Sequence, residues 1–230
     1  MKKKLALAFA AATLLVGGPL AVASSLQDKA PAKAEAKADT ADQAVIDAQL
    51  PSYPLDTCPL SGEKLGDGAQ NVVKDGRLVR TCCGKCAKKV HEDPSAAFAM
   101  IDRGVIAQQG KRYPLATCPI SGEELGEDAV DTVIGTKLVR TCCKRCVAPI
   151  QKDSTAAMAK VDAAWIKAGM KTYKLDVCPV SGEKLGSMGD PIDYLYGTRL
   201  VRFCCKGCVK EIKKDPASVL AKLDAAAAAK

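Results

Sequence analysis

The chain is short of almost everything that a large core or an acid–base active site requires. Its 230 residues include one histidine, one tryptophan, three phenylalanines and five tyrosines. The hydrophobic share of 48% is swollen by alanine, which buries little area. Such a composition cannot build one broad core; it points to small units held by something besides packing. A single histidine excludes histidine-rich metal sites and any histidine-dependent triad repeated along the chain. No nucleophile–base pair, phosphate-binding loop or carboxylate dyad stands out, so a binding protein is expected and an enzyme is not.

Long apolar runs are also missing, apart from one near the N-terminus. Met1-Lys2-Lys3-Lys4 is a basic start, Leu5 to Val16 is apolar except for Thr13, and Ala21-Val22-Ala23 offers a small-x-small cleavage site. These features predict a secretory signal peptide over residues 1–23, cleaved after Ala23, with an apolar stretch too short to remain as an anchor. A periplasmic or secreted protein is expected, with no membrane attachment after cleavage. No cysteine follows the cleavage site, which argues against a lipoprotein. The formal charge of +8 falls to about +5 when the three signal lysines are removed. Acids and bases are interspersed, the pattern of a solvated surface and not of a nucleic-acid interface. Residues 24–52 are dominated by Ala, Lys, Asp, Glu and Gln and read as a disordered linker, with a weak helical tendency over Ala41–Leu50.

What the chain has in excess is cysteine, twelve in all. From Tyr53 onward it repeats with a period of sixty residues, and every cysteine falls on that repeat. Tyr53-Pro54-Leu55-Asp56-Thr57-Cys58-Pro59-Leu60-Ser61-Gly62-Glu63 returns as residues 113–123 and 173–183. Arg80-Thr81-Cys82-Cys83-Gly84-Lys85-Cys86 returns as residues 140–146 and 202–208. Three modules follow, over residues 53–112, 113–172 and 173–230, the third with two extra residues in its middle. The fold class expected is α+β, three tandem small units each ordered as knuckle, β-hairpin, helix and helix. Proline and glycine around Cys58 suit a knuckle. Val72-Val73, the Asp75-Gly76 turn and Leu78-Val79-Arg80 read as a hairpin, with Gly135 and Gly197 marking the other turns. Cys86 with Val90, Cys146 with Ile150 and Cys208 with Ile212 share a helix face, and Asp93-Pro94 and Asp215-Pro216 open a second helix. Phe98 with Ile101, Met158 with Val161 and Leu220 with Leu223 form its apolar face, and Trp165 continues it into the core. His91 is expected on a helix surface, and Tyr53, Tyr113 and Tyr173 at the joints between modules.

Cysteine spacing points to metal. Cys58 to Cys82 and Cys118 to Cys142 span 24 positions and Cys178 to Cys204 spans 26; Cys83 with Cys86, Cys143 with Cys146 and Cys205 with Cys208 then lie three apart at a helix start. A knuckle cysteine, a hairpin and cysteines at a helix start form the layout of zinc-ribbon and treble-clef sites, and thiolates select Zn(II) or Cu(I), about one ion per repeat. Cys82 and Cys83 are adjacent and point apart in an extended strand, so one of the two serves a given metal unless the backbone turns. Arg80, Arg140 and Arg202, with Lys85, Lys144, Arg145 and Lys206, are placed either to offset the thiolate charge or to face solvent. Glu63, Glu123 and Glu183 are possible oxygen ligands, although a surface position suits a glutamate better.

These residues resemble the YHS domain and the related TRASH-type heavy-metal-binding domain. Phe203-Cys204-Cys205-Lys206-Gly207-Cys208 and Asp215-Pro216-Ala217-Ser218-Val219-Leu220 match that family best. The resemblance implies a treble-clef-like fold and metal binding, sensing or trafficking without catalysis; an exported metal-handling partner fits that role. In the knuckle, cysteine stands where the family has aspartate and Ser61 where it has cysteine, so the family's first ligand does not carry over to Cys58, Cys118 or Cys178. Two rival readings stand beside it. In an oxidising compartment, four cysteines per weak-cored unit also suit a disulfide-stapled interaction scaffold. Cys-x-x-Cys at a helix start also suits thiol–disulfide exchange, but no thioredoxin-like βαβ pattern surrounds it.

Overall fold

A computed structural model describes residues 40–228; the expected signal peptide and the first part of the expected linker lie outside them. The described chain is α+β, built from helices and three separate two-stranded antiparallel hairpins. Helix α1 (Thr40–Gln49) precedes strands β1 (Gln70–Lys74) and β2 (Arg77–Thr81), then helices α2 (Gly84–Glu92) and α3 (Ser95–Gln109). The second module adds β3 (Val130–Ile134), β4 (Lys137–Thr141), α4 (Val147–Lys152) and α5 (Thr155–Met170). The third adds β5 (Ile192–Tyr196), β6 (Arg199–Phe203), α6 (Lys206–Lys214) and α7 (Pro216–Ala228). Each module therefore has the order knuckle, hairpin, helix, helix that the sequence predicts. Among the described residues no helix is long and apolar enough to cross a membrane.

Local chemistry explains the elements. Asp75 and Gly76 both have positive φ, 50° and 71°, as a type I′ turn demands, while Gly135 and Gly197 carry the one left-handed position in the other two turns. The aspartate before each second helix caps it: Asp93 accepts the Ser95 N–H at 2.9 Å, Asp153 that of Thr155 at 2.9 Å, and Asp215 that of Ser218 at 3.1 Å. A cation then ties each hairpin to its own second helix, Arg77 to Asp102, Lys137 to Asp162 and Arg199 to Asp224. Of the predicted helix faces, Val90, Ile101, Ile150, Val161, Ile212, Leu223 and Trp165 are buried and His91 is exposed, whereas Phe98, Met158 and Leu220 are half-buried and Ala97, Ala157 and Val219 lie deeper.

Two expectations are corrected. Residues 40–52 are not a disordered linker: they form α1 and a single 3-10 turn over Leu50–Ser52. Gln49, at the end of α1, donates to the Gly76 carbonyl at 2.8 Å and accepts the Leu78 N–H at 2.9 Å, clamping the first hairpin. Gln109, sixty residues on at the end of α3, does the same to the second hairpin, with Thr136 and Leu138 at 2.9 Å each. The repeat thus starts a helix earlier than Tyr53, and α1 gives the first module what α3 gives the second. The tyrosines are the second correction. Each hydroxyl accepts a backbone N–H from its own module's hairpin, Tyr53 from Arg80, Tyr113 from Arg140 and Tyr173 from Arg202, at 3.0–3.1 Å. Only the ring of Tyr113 packs against two cores.

The joints are made by the second helices. Leu138 of the second hairpin belongs to the core of Val79, Val90 and Ile101, and Leu195 of the third packs against that of Val139, Ile150 and Trp165. Gln109 is only 2% exposed, so Gln109→Ala strands two backbone groups away from water and is expected to lower stability by about 2–4 kcal/mol. Urea unfolding checks this against Gln108→Ala, which removes an exposed bond to the Pro54 carbonyl and is expected to cost under about 1 kcal/mol. Equal effects of the two substitutions would contradict the clamp.

Candidate metal centre

Each knuckle is a tight loop closed on its cysteine. The Cys58 N–H donates to the Glu63 carbonyl at 2.7 Å, and the Cys58 carbonyl accepts the Gly62 N–H at 2.8 Å. Gly62, Gly122 and Gly182 turn the chain with φ of 76°, 80° and 77°, a conformation that side chains disfavour. The loop drives the cysteine inward, leaving Cys58, Cys118 and Cys178 only 1–2% exposed. Past each hairpin, the chain bends at the cysteine pair and enters a helix whose first turn carries the last cysteine. In the second module this first turn is a 3-10 turn over Lys144–Cys146 that runs into α4.

The result is three sulfur triplets. Cys58, Cys82 and Cys86 have their sulfurs within 4.8 Å of one another, as do Cys118, Cys142 and Cys146, and Cys178, Cys204 and Cys208. Cys82 and Cys86 are 3.9 Å apart, Cys142 and Cys146 3.8 Å, and Cys204 and Cys208 3.8 Å. Sulfurs about 2.3 Å from a tetrahedral ion lie about 3.8 Å from one another, so one edge of each triplet has metal–thiolate spacing and the knuckle sulfur lies within 4.8 Å of both its ends. Each can therefore hold a metal ion. All twelve cysteines are free thiols.

The remaining cysteine of each module stands beside its triplet and outside the mutual 4.8 Å set. Cys83 touches Cys82 at 3.7 Å and Cys143 touches Cys142 at 3.8 Å, whereas Cys205 touches Cys208 at 3.7 Å. Cys83 is extended, with φ −160° and ψ 168°, and its position before the helix explains the divergence of the adjacent side chains. Of the neighbouring arginines, Arg145 hydrogen-bonds the Cys143 sulfur, whereas Arg80, Arg140 and Arg202 are engaged elsewhere. Arg140 pairs with Asp131 at 2.7 Å and Arg202 with Asp193 at 2.8 Å across their hairpins, and Arg80 bonds Asn71 at 3.3 Å. The knuckle glutamate is closer than its expected surface role suggests, since the Cys142 thiol donates to Glu123 Oε2 at 3.0 Å.

One residue type was missed from the sequence. Ser61, Ser121 and Ser181 place Oγ 3.3 Å from Cys82, Cys142 and Cys204 respectively. Their signal was an unchanged position in all three copies, which a loop serine without a task does not require.

These contacts set the charge of the metal-free cluster. Burial pushes the Cys58 thiol up, but the Ser61 hydroxyl and the N–H groups of Cys82, Leu60 and Ser61 outweigh it, bringing the pKa from 9.0 to about 6. Against the same burial, the loop N–H groups and the serine hydroxyl hold Cys118 and Cys178 at about 6 too. At Cys82 the Ser61 hydroxyl pulls down, yet burial and the neighbouring Cys83, Glu63 and Cys58 push the thiol up to about 12. At Cys142 the Ser121 hydroxyl pulls down, yet Glu123, then burial, Cys146 and Cys143, push the thiol up to about 12. Burial and then Cys205, Cys178 and Cys204 raise Cys208 to about 12. One thiolate per triplet thus sits in a nest of N–H groups, while Cys82, Cys142 and Cys208 beside it stay protonated.

No protein-family model, no curated protein and no solved structure matches the chain.

Thiolate absorbance near about 240 nm on the reduced, metal-free protein is expected to show three thiolates per chain appearing around pH 6. Because the folded value lies below the ordinary one, this contribution to stability is complete above pH 9 and is lost as pH falls toward 6. The triple variant Ser61→Ala, Ser121→Ala, Ser181→Ala moves the step upward. A first thiolate appearing only above about pH 8 would contradict the nest.

Proposed function

We propose that the protein is an exported, non-catalytic metal-binding protein that buffers, sequesters or delivers Cu(I) or Zn(II) through three thiolate sites. One observation carries the reading: three sulfurs within 4.8 Å of one another recur in all three modules. Thiolate donors without imidazole select soft and borderline ions over calcium or magnesium. Three sulfurs complete a trigonal Cu(I) site; zinc takes a fourth ligand, for which the adjacent cysteine and, in the second module, Glu123 are the nearest donors. The basic N-terminus supports export. The resemblance to YHS and TRASH-type domains points to the same chemistry and to a treble-clef-like module.

Within each site the chain's own residues do the preparatory work. The knuckle presents one sulfur already ionised at neutral pH, so a metal displaces fewer protons on binding. The hairpin fixes the second sulfur and the helix start fixes the third, which limits the reorganisation that binding requires.

Mature protein recovered from the periplasm without oxygen is expected to carry about one copper or zinc per module by elemental analysis. Cys58→Ser, Cys118→Ser and Cys178→Ser each remove about one equivalent, and the triple variant binds none tightly. Absence of metal together with loss of nearly all free thiols would overturn the proposal in favour of disulfide-stapled modules.

A further inference from the structure

The clamp between modules occurs twice and then fails. The position of Gln49 and Gln109 is taken in the third repeat by Gly169, where a Cβ would fall 2.6 Å from the Leu200 Cβ. No glutamine fits there without movement of Leu200. Thr198 and Leu200 are the counterparts of Thr136 and Leu138, whose carbonyl and N–H Gln109 holds. The Leu200 N–H faces outward from the hairpin, because Leu195 and Leu200 form the wide pair next to the turn-closing Tyr196 and Arg199. No side chain among the described residues takes the place of the missing amide.

Where the clamp is lost there is a cavity of about 640 Å³, lined by Gly169, Thr198 and Leu200. That volume is in the range of small-molecule sites. Arg112, Trp165, Tyr173 and Lys174 complete its polar and aromatic wall, and Leu223 its apolar floor. Arg112 lies over the Trp165 ring at 5.8 Å and, like Lys174, meets no carboxylate within ion-pair distance among the described residues. Arg199, by contrast, is committed to Asp224 at 2.6 Å. The cavity therefore combines two uncompensated cations, an outward backbone N–H and an aromatic and aliphatic surface.

We propose that this cavity binds a small organic anion, a carboxylate or sulfonate carried on an aromatic or aliphatic body. Its charge meets Arg112 and Lys174, an anionic oxygen accepts the Leu200 N–H, and its body packs against Trp165 and Leu223. The site is independent of the cysteine clusters and stands whether or not these bind metal.

Trp165 is the single tryptophan, so ¹⁵N-labelled full-length protein gives one indole resonance, which reports on this cavity alone. Titration of the reduced protein with naphthalene-2-carboxylate is expected to shift that resonance saturably at one site per chain. The neutral naphthalene-2-methanol is expected to bind at least about tenfold more weakly. Arg112→Glu and Lys174→Glu each weaken the carboxylate about tenfold, and Ala226→Leu, which fills the cavity from α7, abolishes the shift. The charge reversals lie on exposed side chains and decide the matter even if the filled variant does not fold. An indole resonance unmoved by millimolar carboxylate, equal binding of acid and alcohol, or indifference to both charge reversals would overturn the proposal.

Discussion

A negative charge held in a buried loop sets the terms for each module. Cys58, Cys118 and Cys178 are almost wholly enclosed, a position in which a thiol ordinarily stays protonated. Here the loop turns its N–H groups and a serine hydroxyl onto the sulfur, and together these outweigh burial. At Cys82 and Cys142 the serine hydroxyl pulls down, yet burial, the knuckle glutamate and neighbouring thiols keep the proton on, and burial with its neighbouring thiols does the same at Cys208. Each cluster is then one charge short of comfort in both directions. A bound cation would favour further ionisation, and three sulfurs of each module already lie within 4.8 Å of one another.

The modules gain order by sharing elements. Each core is small, and the second helix of one module also covers the hairpin of the next, so Leu138 is buried in, and half-buried Leu195 packs against, a neighbour's core. The glutamine clamp at the end of α1 and α3 fixes the approach with two directed bonds to a hairpin, a specificity that apolar contact alone does not give. At the third joint Gly169 lets the helix end come directly against Leu200, and a cavity beside them takes the place of the clamp. Helix–hairpin joints between modules thus offset part of the shortage of large apolar side chains.

Much of this was legible in the sequence, because the repeat printed it three times. The order of elements, the hairpin turns, the aspartate caps and the buried helix face each follow from local residue chemistry that recurs at fixed spacing. The three-sulfur grouping was not fully legible. Adjacent cysteines show that one of each pair must diverge, but which one depends on where the bend before the helix falls, and that is a tertiary matter. The segment at 40–52 was misjudged for a similar reason. Its composition is that of a linker, and what orders it is the hairpin that Gln49 grips, a partner 27 to 29 residues away. Arginine beside cysteine in sequence suggested charge compensation, yet the strand's alternation turns Arg140 and Arg202 onto an aspartate directly across the hairpin.

The central claim is that three converging thiolates form one metal site per module. X-ray absorption at the metal edge, on protein purified without oxygen, tests it most directly. The account predicts at least three sulfur neighbours at about 2.3 Å around each copper or zinc ion. A first shell of oxygen and nitrogen alone would contradict it.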